Sequence, residues 1–152
     1  MTTTICSIDL LRAARRSETV PKTWDDDAIA REIDRYFRFL TLAKENPGRP
    51  LAPTRGIDTI WHVHMLSPRA YNDDCVRMFG DILDHDGGFG SDPSELPELQ
   101  ATFCKTAELW QQRFGEEYVA KSEDPRITNC WHDCQGRCWH ACKGGSNDDD
   151  DD

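Results

Sequence analysis

The stretch Asp58-Thr59-Ile60-Trp61-His62-Val63-His64-Met65-Leu66-Ser67-Pro68 decides how the chain is read. With Ile57 in front of it, the apolar residues Ile57, Ile60, Trp61 and Met65 recur at steps of three and four, the period of a helix rather than of a strand. This predicts a helix over about 54–66. Ser67-Pro68 then restarts the chain, serine as N-cap and proline in the first turn, where its missing N–H costs nothing. Successive residues on a helix advance by about 100°, so His62 and His64 point to opposite sides. Asp58 and His62, four apart, share a face, while His64 falls on the apolar side. A buried imidazole needs partners for its ring nitrogens, and Asp74, His85 and Asp86 are the candidates by position.

Outward from this stretch the pattern stays helical. Upstream, a short helix is expected over about 8–16, with Ser7 as N-cap and Ile8, Leu11 and Ala14 facing inward. A second, stronger helix begins after Asp25 as cap. Asp26 and Asp27 suit its positive end, Trp24 is placed for a hydrophobic staple to Ile29, and Ile29, Ile33, Tyr36, Phe37, Leu40 and Ala43 form an apolar stripe. Asn46-Pro47-Gly48 ends it, and Arg49-Pro50-Leu51-Ala52-Pro53 is a connector. Downstream, Tyr71, Cys75, Met78 and Phe79 line a fourth helix that stops at Gly80 or in Asp84–Gly88. Residues 87–93 read as a loop. Leu99, Phe103, Ala107, Trp110, Phe114 and Tyr118 hold helical spacing over a last helix at about 97–119. No run of alternating β-branched residues occurs. The expected fold is all-α: a single compact bundle of about five helices over residues 1–121, a Cys-rich C-terminal appendage over 122–145, and a disordered acidic end over 146–152.

The chain has 152 residues and a net charge of −10, half of it carried by Asp148–Asp152. Nucleic acid and anionic membranes are bound by clustered Lys and Arg, so this balance disfavours both, and Arg12, Arg15 and Arg16 read as the solvated face of a helix. No run approaches the ~18 apolar residues of a membrane span. The N-terminal Met-Thr-Thr-Thr-Ile-Cys lacks the basic start and apolar run of a signal peptide. These features point to a cytoplasmic protein whose seven cysteines stay largely reduced.

The imidazoles of this segment admit three readings: a hydrogen-bonded clamp between two helices, a zinc or iron site using His64, His85 and a carboxylate, or a metal-free acid–base site. The same segment carries a family resemblance. Ile57-Asp58-x-x-Trp61-His62-x-His64-x-Leu66-x-Pro68-x-x-Tyr71-x-x-Asp74-Cys75, followed by Gly80-x-x-Leu83-x-His85-Asp86, resembles the signature of the glycine-rich domain-containing protein-like (GRDP-like) family. Arg35-Tyr36-x-x-Phe39-Leu40, Leu51-x-Pro53 and Trp110 through Phe114-Gly115-x-x-Tyr118 extend the similarity over about residues 8–120. The resemblance implies a helical domain of largely unassigned biochemistry, found in bacteria, fungi and plants. Plant members are longer, with glycine-rich tails and links to development and stress responses, and some are described as RNA-associated. No established catalytic residue comes with it.

The appendage contains an imperfect tandem repeat, Cys130-Trp131-His132-Asp133-Cys134 and Cys138-Trp139-His140-Ala141-Cys142. Four thiols on one straight helix spread over ~18 Å and cannot share an ion with bonds of ~2.3 Å. Either Gly136 folds the two units onto a shared ion, or each unit holds its own with Cys130, His132 and Cys134 or Cys138, His140 and Cys142. Thiolates favour Zn(II), Cu(I) or an iron–sulfur cluster. Thiol–disulfide chemistry, modification by a partner enzyme and an inert tail are the alternatives. Cys75 and Cys104 read as buried apolar groups, and Cys6 as part of a frayed end. The functional expectation is a helical binding protein with a protein partner and a Cys/His metal-binding or thiol-redox tail, without catalysis of its own. A metal-dependent enzyme centred on Asp58, His62, His64 and His85 and a purely structural interaction module are the alternatives.

Overall fold

A computed structural model describes residues 5–85 and 92–119. Among them are five α-helices, α1 Leu10–Arg16, α2 Asp26–Glu45, α3 Arg55–Met65, α4 Pro68–Phe79 and α5 Leu96–Phe114, with a 3₁₀ turn at Pro93–Glu95 and no strand, so the fold is all-α. The described residues fall into two compact units, 5–49 with 56–85 and 50–55 with 92–119. The repeat Cys130–Cys142 and the aspartate end lie outside the described residues.

The first unit contains α1, α2, α4 and α3 from Gly56 onward. Asp25 caps α2 by accepting the Ala28 N–H at 2.8 Å, with Asp26 and Asp27 in the first turn. The cap of α1 is Asp9, which accepts the Arg12 N–H at 3.1 Å. Ser7, the expected cap, is instead drawn away: its N–H and hydroxyl both reach Asp74 Oδ2, at 3.0 and 3.2 Å. Helix α1 accordingly buries Leu10 and Ala14, leaving Ile8 and Leu11 half-exposed. At the head of α4, Ser67 holds the cap position but its side chain accepts no backbone N–H; proline at the first helical position removes one of the donors that needed a partner. Gly80 ends α4 at φ 79°, a left-handed backbone that only glycine adopts without strain.

The stripe of α2 differs from the sequence pattern at several positions. Ile29, Tyr36 and Leu40 are buried as expected, joined by Ala28, Phe39 and Leu42, whereas Ile33, Phe37 and Ala43 stay half-exposed. Glu32 is buried too. Its carboxylate lies over α3 where that helix has no side chain, since a Cβ on Gly56 would fall 2.2 Å from Glu32 Oε2. Oε2 has no hydrogen-bond partner, and Arg35 Nε stands 3.7 Å away. Burial pushes this carboxyl above its usual range, opposed by Arg35 and Arg31.

His64 is the centre of the core. Its Nε2 is 2.8 Å from Asp74 Oδ2 on α4 and its Nδ1 is 2.8 Å from the Tyr36 hydroxyl on α2. Both His64 and Asp74 are fully buried. A neutral imidazole protonated on Nε2 satisfies the set: it donates to Asp74 and accepts from Tyr36. Asp74 also receives Arg77 Nη2 at Oδ1, 2.9 Å away, and the same guanidinium donates to the Ile5 carbonyl at 3.1 Å. Residues 5–7 are thereby strapped to α4. Cys6, expected in a frayed end, is buried with its sulfur 3.6 Å from His64 Nε2, and burial pushes its thiol up to about 11. A thiol so held stays protonated and is not a nucleophile.

The second unit is built on α5. Helical spacing runs through Tyr118, but the helix ends at Phe114 because Gly115, at φ 69°, closes it. Beyond it Tyr118 is buried, its hydroxyl donating to the Ala52 carbonyl at 2.7 Å and its ring 5.0 Å from that of Trp110. The Ala52 N–H donates to Thr106 Oγ1 at 2.9 Å. The proline-bearing connector is thus tied to α5. Cys75 is buried as read, while Cys104 is half-buried.

Gly56→Ala is expected to displace the Glu32 carboxylate from its place over α3 and to destabilise the protein by about 1 kcal/mol, the low end of overpacking costs because a flexible side chain can move, and a Glu32→Ala background should remove that cost. Urea titrations of the four chains of this cycle measure the coupling, and additive effects would contradict the contact. Burial holds the His64 pKa below its ordinary value of 6.5, outweighing the pull of Asp74. Its contribution to stability is therefore complete above pH ~6.5 and is lost as pH falls below that value, because the unfolded chain takes up a proton that the folded one refuses, at up to about 1.4 kcal/mol per pH unit from this group. Burial works against the Asp74 charge, but the bonds from Ser7, His64 and Arg77 prevail and lower its pKa, adding a second loss below pH ~4. NMR titration should find the His64 midpoint below that of an exposed imidazole, with unfolding free energy falling as pH drops below ~6.5; a His64 that titrates like an exposed imidazole would contradict the clamp.

Candidate metal centre

Helix α3 carries its two histidines to different surroundings. His64 enters the core, and His62, on the far side, meets Asp58 and His85. Asp58 and His62 are one helical turn apart on α3, with Oδ1 and Nε2 at 3.4 Å. His85 comes from the segment that follows α4. Its Nε2 lies 2.8 Å from His62 Nε2 and 2.8 Å from Asp58 Oδ1. The side chains of Asp58 and His85 are 10% and 5% exposed and that of His62 is 39% exposed, so the group is buried on two sides and opens past His62.

The position of His85 is fixed by its neighbours. The Trp61 ring stacks on the imidazole with centroids 4.1 Å apart and planes at 29°. Trp61 Nε1 donates to the Tyr71 hydroxyl at 2.9 Å, and that hydroxyl donates in turn to the Leu83 carbonyl, tying the backbone two residues before His85 to α4. Phe39 also packs on Trp61, with ring centroids 5.3 Å apart. The indole and the phenol thus pin a segment that no helix holds.

Hydrogen bonding cannot satisfy the three converging atoms together. Two imidazoles facing Nε2 to Nε2 share at most one proton, and an N–H aimed at one nitrogen is not aimed at Asp58. Asp58 Oδ1 is buried and has no hydrogen-bond partner, although it stands at ion-pair distance from His85. Buried acceptors left this way cost about 1–3 kcal/mol. A cation at the centre removes the conflict, since all three atoms present lone pairs to it. A tetrahedral zinc with bonds of ~2.05 Å holds its ligand atoms about 3.3 Å apart, so the triangle here, with sides of 2.8, 2.8 and 3.4 Å, needs to open by only about 0.5 Å on two sides.

Cys6, His64 and Asp74 are a second group within ligand reach of one another. Their hydrogen bonds are complete, however: Ser7, Arg77 and His64 serve Asp74, and Tyr36 serves His64. The structure therefore divides the four residues picked out of the central motif, bringing Asp58, His62 and His85 together and giving His64 to the core. The candidate ligands Cys130, His132, Cys134, Cys138, His140 and Cys142 lie outside the described residues, as does Asp86. Sequence reasoning passed over Tyr36, Cys6 and Ser7 as partners of the clamp and Trp61 and Tyr71 as supports of His85. Tyr36 was legible as a polar-tipped residue in the buried stripe of α2; nothing in the pattern pointed to the other contacts.

No helix among the described residues is long and apolar enough to cross a membrane. No solved structure matches this chain. The profile of the glycine-rich domain-containing protein-like family matches residues 2–74, a span that includes Asp58, His62, His64 and Asp74 and ends before His85. The chain is similar to Glycine-rich domain-containing protein 1 of Arabidopsis thaliana, 38% identical over 97 residues that make up 61% of this chain and 12% of that protein. It is also similar to Glycine-rich domain-containing protein 2 of the same plant, 37% identical over 124 residues, 74% of this chain and 16% of that protein. The chain thus spans a small part of the length of these relatives. With its helical fold and the matched motif together, the chain belongs to the GRDP-like family.

Proposed function

We propose that this chain is a cation-binding helical module in which Asp58, His62 and His85 hold one divalent transition-metal ion, zinc being the first choice for two imidazoles and a carboxylate. The observation that carries the reading is the buried Asp58 Oδ1, which has no hydrogen-bond partner yet lies among nitrogens placed like ligands. The ion would join α3 to the segment after α4 and so couple metal binding to the order of that segment. Its role in this reading is to fix a binding surface, which suits a module that forms a small part of much longer relatives. A cytoplasmic setting agrees with the thiol content, and the Cys-Trp-His-x-Cys repeat would be a separate, softer site for Zn(II) or Cu(I).

The two sites are separable by mutation. In full-length protein whose Cys130, Cys134, Cys138 and Cys142 are changed to serine, elemental analysis after dialysis against zinc should find about one ion per chain, as expected of a single three-ligand site. His85→Ala or Asp58→Ala in that background should lower zinc affinity by at least the 10–100-fold seen when even outer supports of a metal site are removed. Zinc should raise the melting temperature of the parent and leave that of the His85→Ala chain unchanged. Retention of full zinc affinity by both variants would overturn the proposal. Tyr71→Phe, which deletes the hydroxyl between Trp61 and Leu83, is expected to weaken zinc binding about 10-fold without touching a ligand; isothermal titration measures it, and an unchanged affinity would remove Tyr71 from the support of His85.

A further inference from the structure

Two features of the cluster bear on what an ion there would do: its ligand count and the uneven burial of its members. Among the described residues, three donor atoms converge and no fourth His, Cys, Asp or Glu joins them. Zinc with three protein ligands completes its shell with solvent or substrate, the arrangement of catalytic rather than structural sites. Trp61 covers the face of His85, and Asp58 and His85 are nearly sealed, so the approach left to solvent runs past His62, 39% exposed.

Charge then selects what arrives. Two neutral imidazoles and one carboxylate around a divalent ion leave the centre with a net charge of about +1, because ligation requires the deprotonated imidazole and carboxylate. A single anion neutralises it. Asp84, exposed beside His85, adds negative charge next to the site. Recognition through the bond to the ion itself favours a small oxygen- or nitrogen-donor anion.

Resting on the metal reading above, we infer that the ion held by Asp58, His62 and His85 keeps one exchangeable position, reached past His62, where a small anion of the carboxylate class replaces bound water. The exchange is a ligand substitution: water leaves as the anion's lone pair bonds to the ion, and no electron or proton need be supplied. It makes the centre a Lewis-acid site able to polarise or anchor a carboxylate-bearing ligand, a role beyond holding two segments together.

Cobalt(II), which takes the place of zinc and reports its own coordination, tests this. Full-length protein with the four tail cysteines changed to serine is loaded with Co(II) and titrated with azide and, separately, acetate, while the visible d–d absorption is recorded. The expected result is a saturable shift of the band with each anion, absent from the Asp58→Ala chain. A bound Co(II) whose band ignores both anions would overturn the inference and leave the metal reading intact, because it would show a shell closed by a fourth protein ligand. Absence of any d–d band would sink both. An Asp58→Ala chain that still binds cobalt and shifts with azide would place the open position at another site, and the inference would fail there too.

Discussion

The fold rests on His64 being neutral and completely hydrogen-bonded inside the core. One imidazole links three helices: its ring nitrogens bind Tyr36 of α2 and Asp74 of α4 while its backbone belongs to α3. The arrangement holds only if every polar atom is served, since an unpartnered buried charge costs far more than a hydrogen bond returns. Asp74 meets that condition through Ser7, Arg77 and His64 together, and the chain end at residues 5–7 is ordered as a result. With His64 fixed inward, the helical period leaves His62 nowhere to go but the other face, beside Asp58.

The contrast between the two histidine groups follows from this accounting. Around His64 and Asp74 each donor has an acceptor and each acceptor a donor, the signature of a structural network. Around Asp58, His62 and His85, lone pairs converge and protons are too few. Similar residue types, held by neighbouring helices, thus form a satisfied clamp in one place and an unsatisfied cluster in the other, and it is hydrogen-bond satisfaction that separates them. Glu32 is a third case: a carboxylate buried over Gly56 whose Oε2 accepts no hydrogen bond and faces Arg35 at 3.7 Å, kept by the close approach of α2 and α3.

Much of this was legible in the sequence. The apolar period identified the helices, Asp25 announced the start of α2, and the 100° step separated His62 from His64 and named Asp74 among the partners of the latter. What periodicity cannot see is competition for one group. Ser7 looks like a cap until Asp74 claims its N–H and hydroxyl, leaving Asp9 to cap α1. Tyr118 keeps the helical interval from Phe114, yet Gly115 breaks the helix and the tyrosine reaches Ala52 by a turn. His85 was grouped with Asp58 and His62 in the sequence, but what holds it there, a segment outside any helix tied by Tyr71 to the Leu83 carbonyl, answers to no spacing rule. Glu32 could have been placed inward by its position between Ile29 and Tyr36, and Gly56 marked as the small residue opposite it.

The most direct test reads the side-chain nitrogens of all the histidines at once. A long-range proton–nitrogen correlation spectrum of the full-length protein, recorded without and with one equivalent of Zn(II), should show the Nε2 signals of His62 and His85 moving to values of metal-bound nitrogen, while His64 keeps its Nε2-protonated, neutral pattern in both. Zinc that leaves His62 and His85 unmoved, or that displaces the proton of His64, would contradict the division between a satisfied clamp and an unsatisfied ligand triangle.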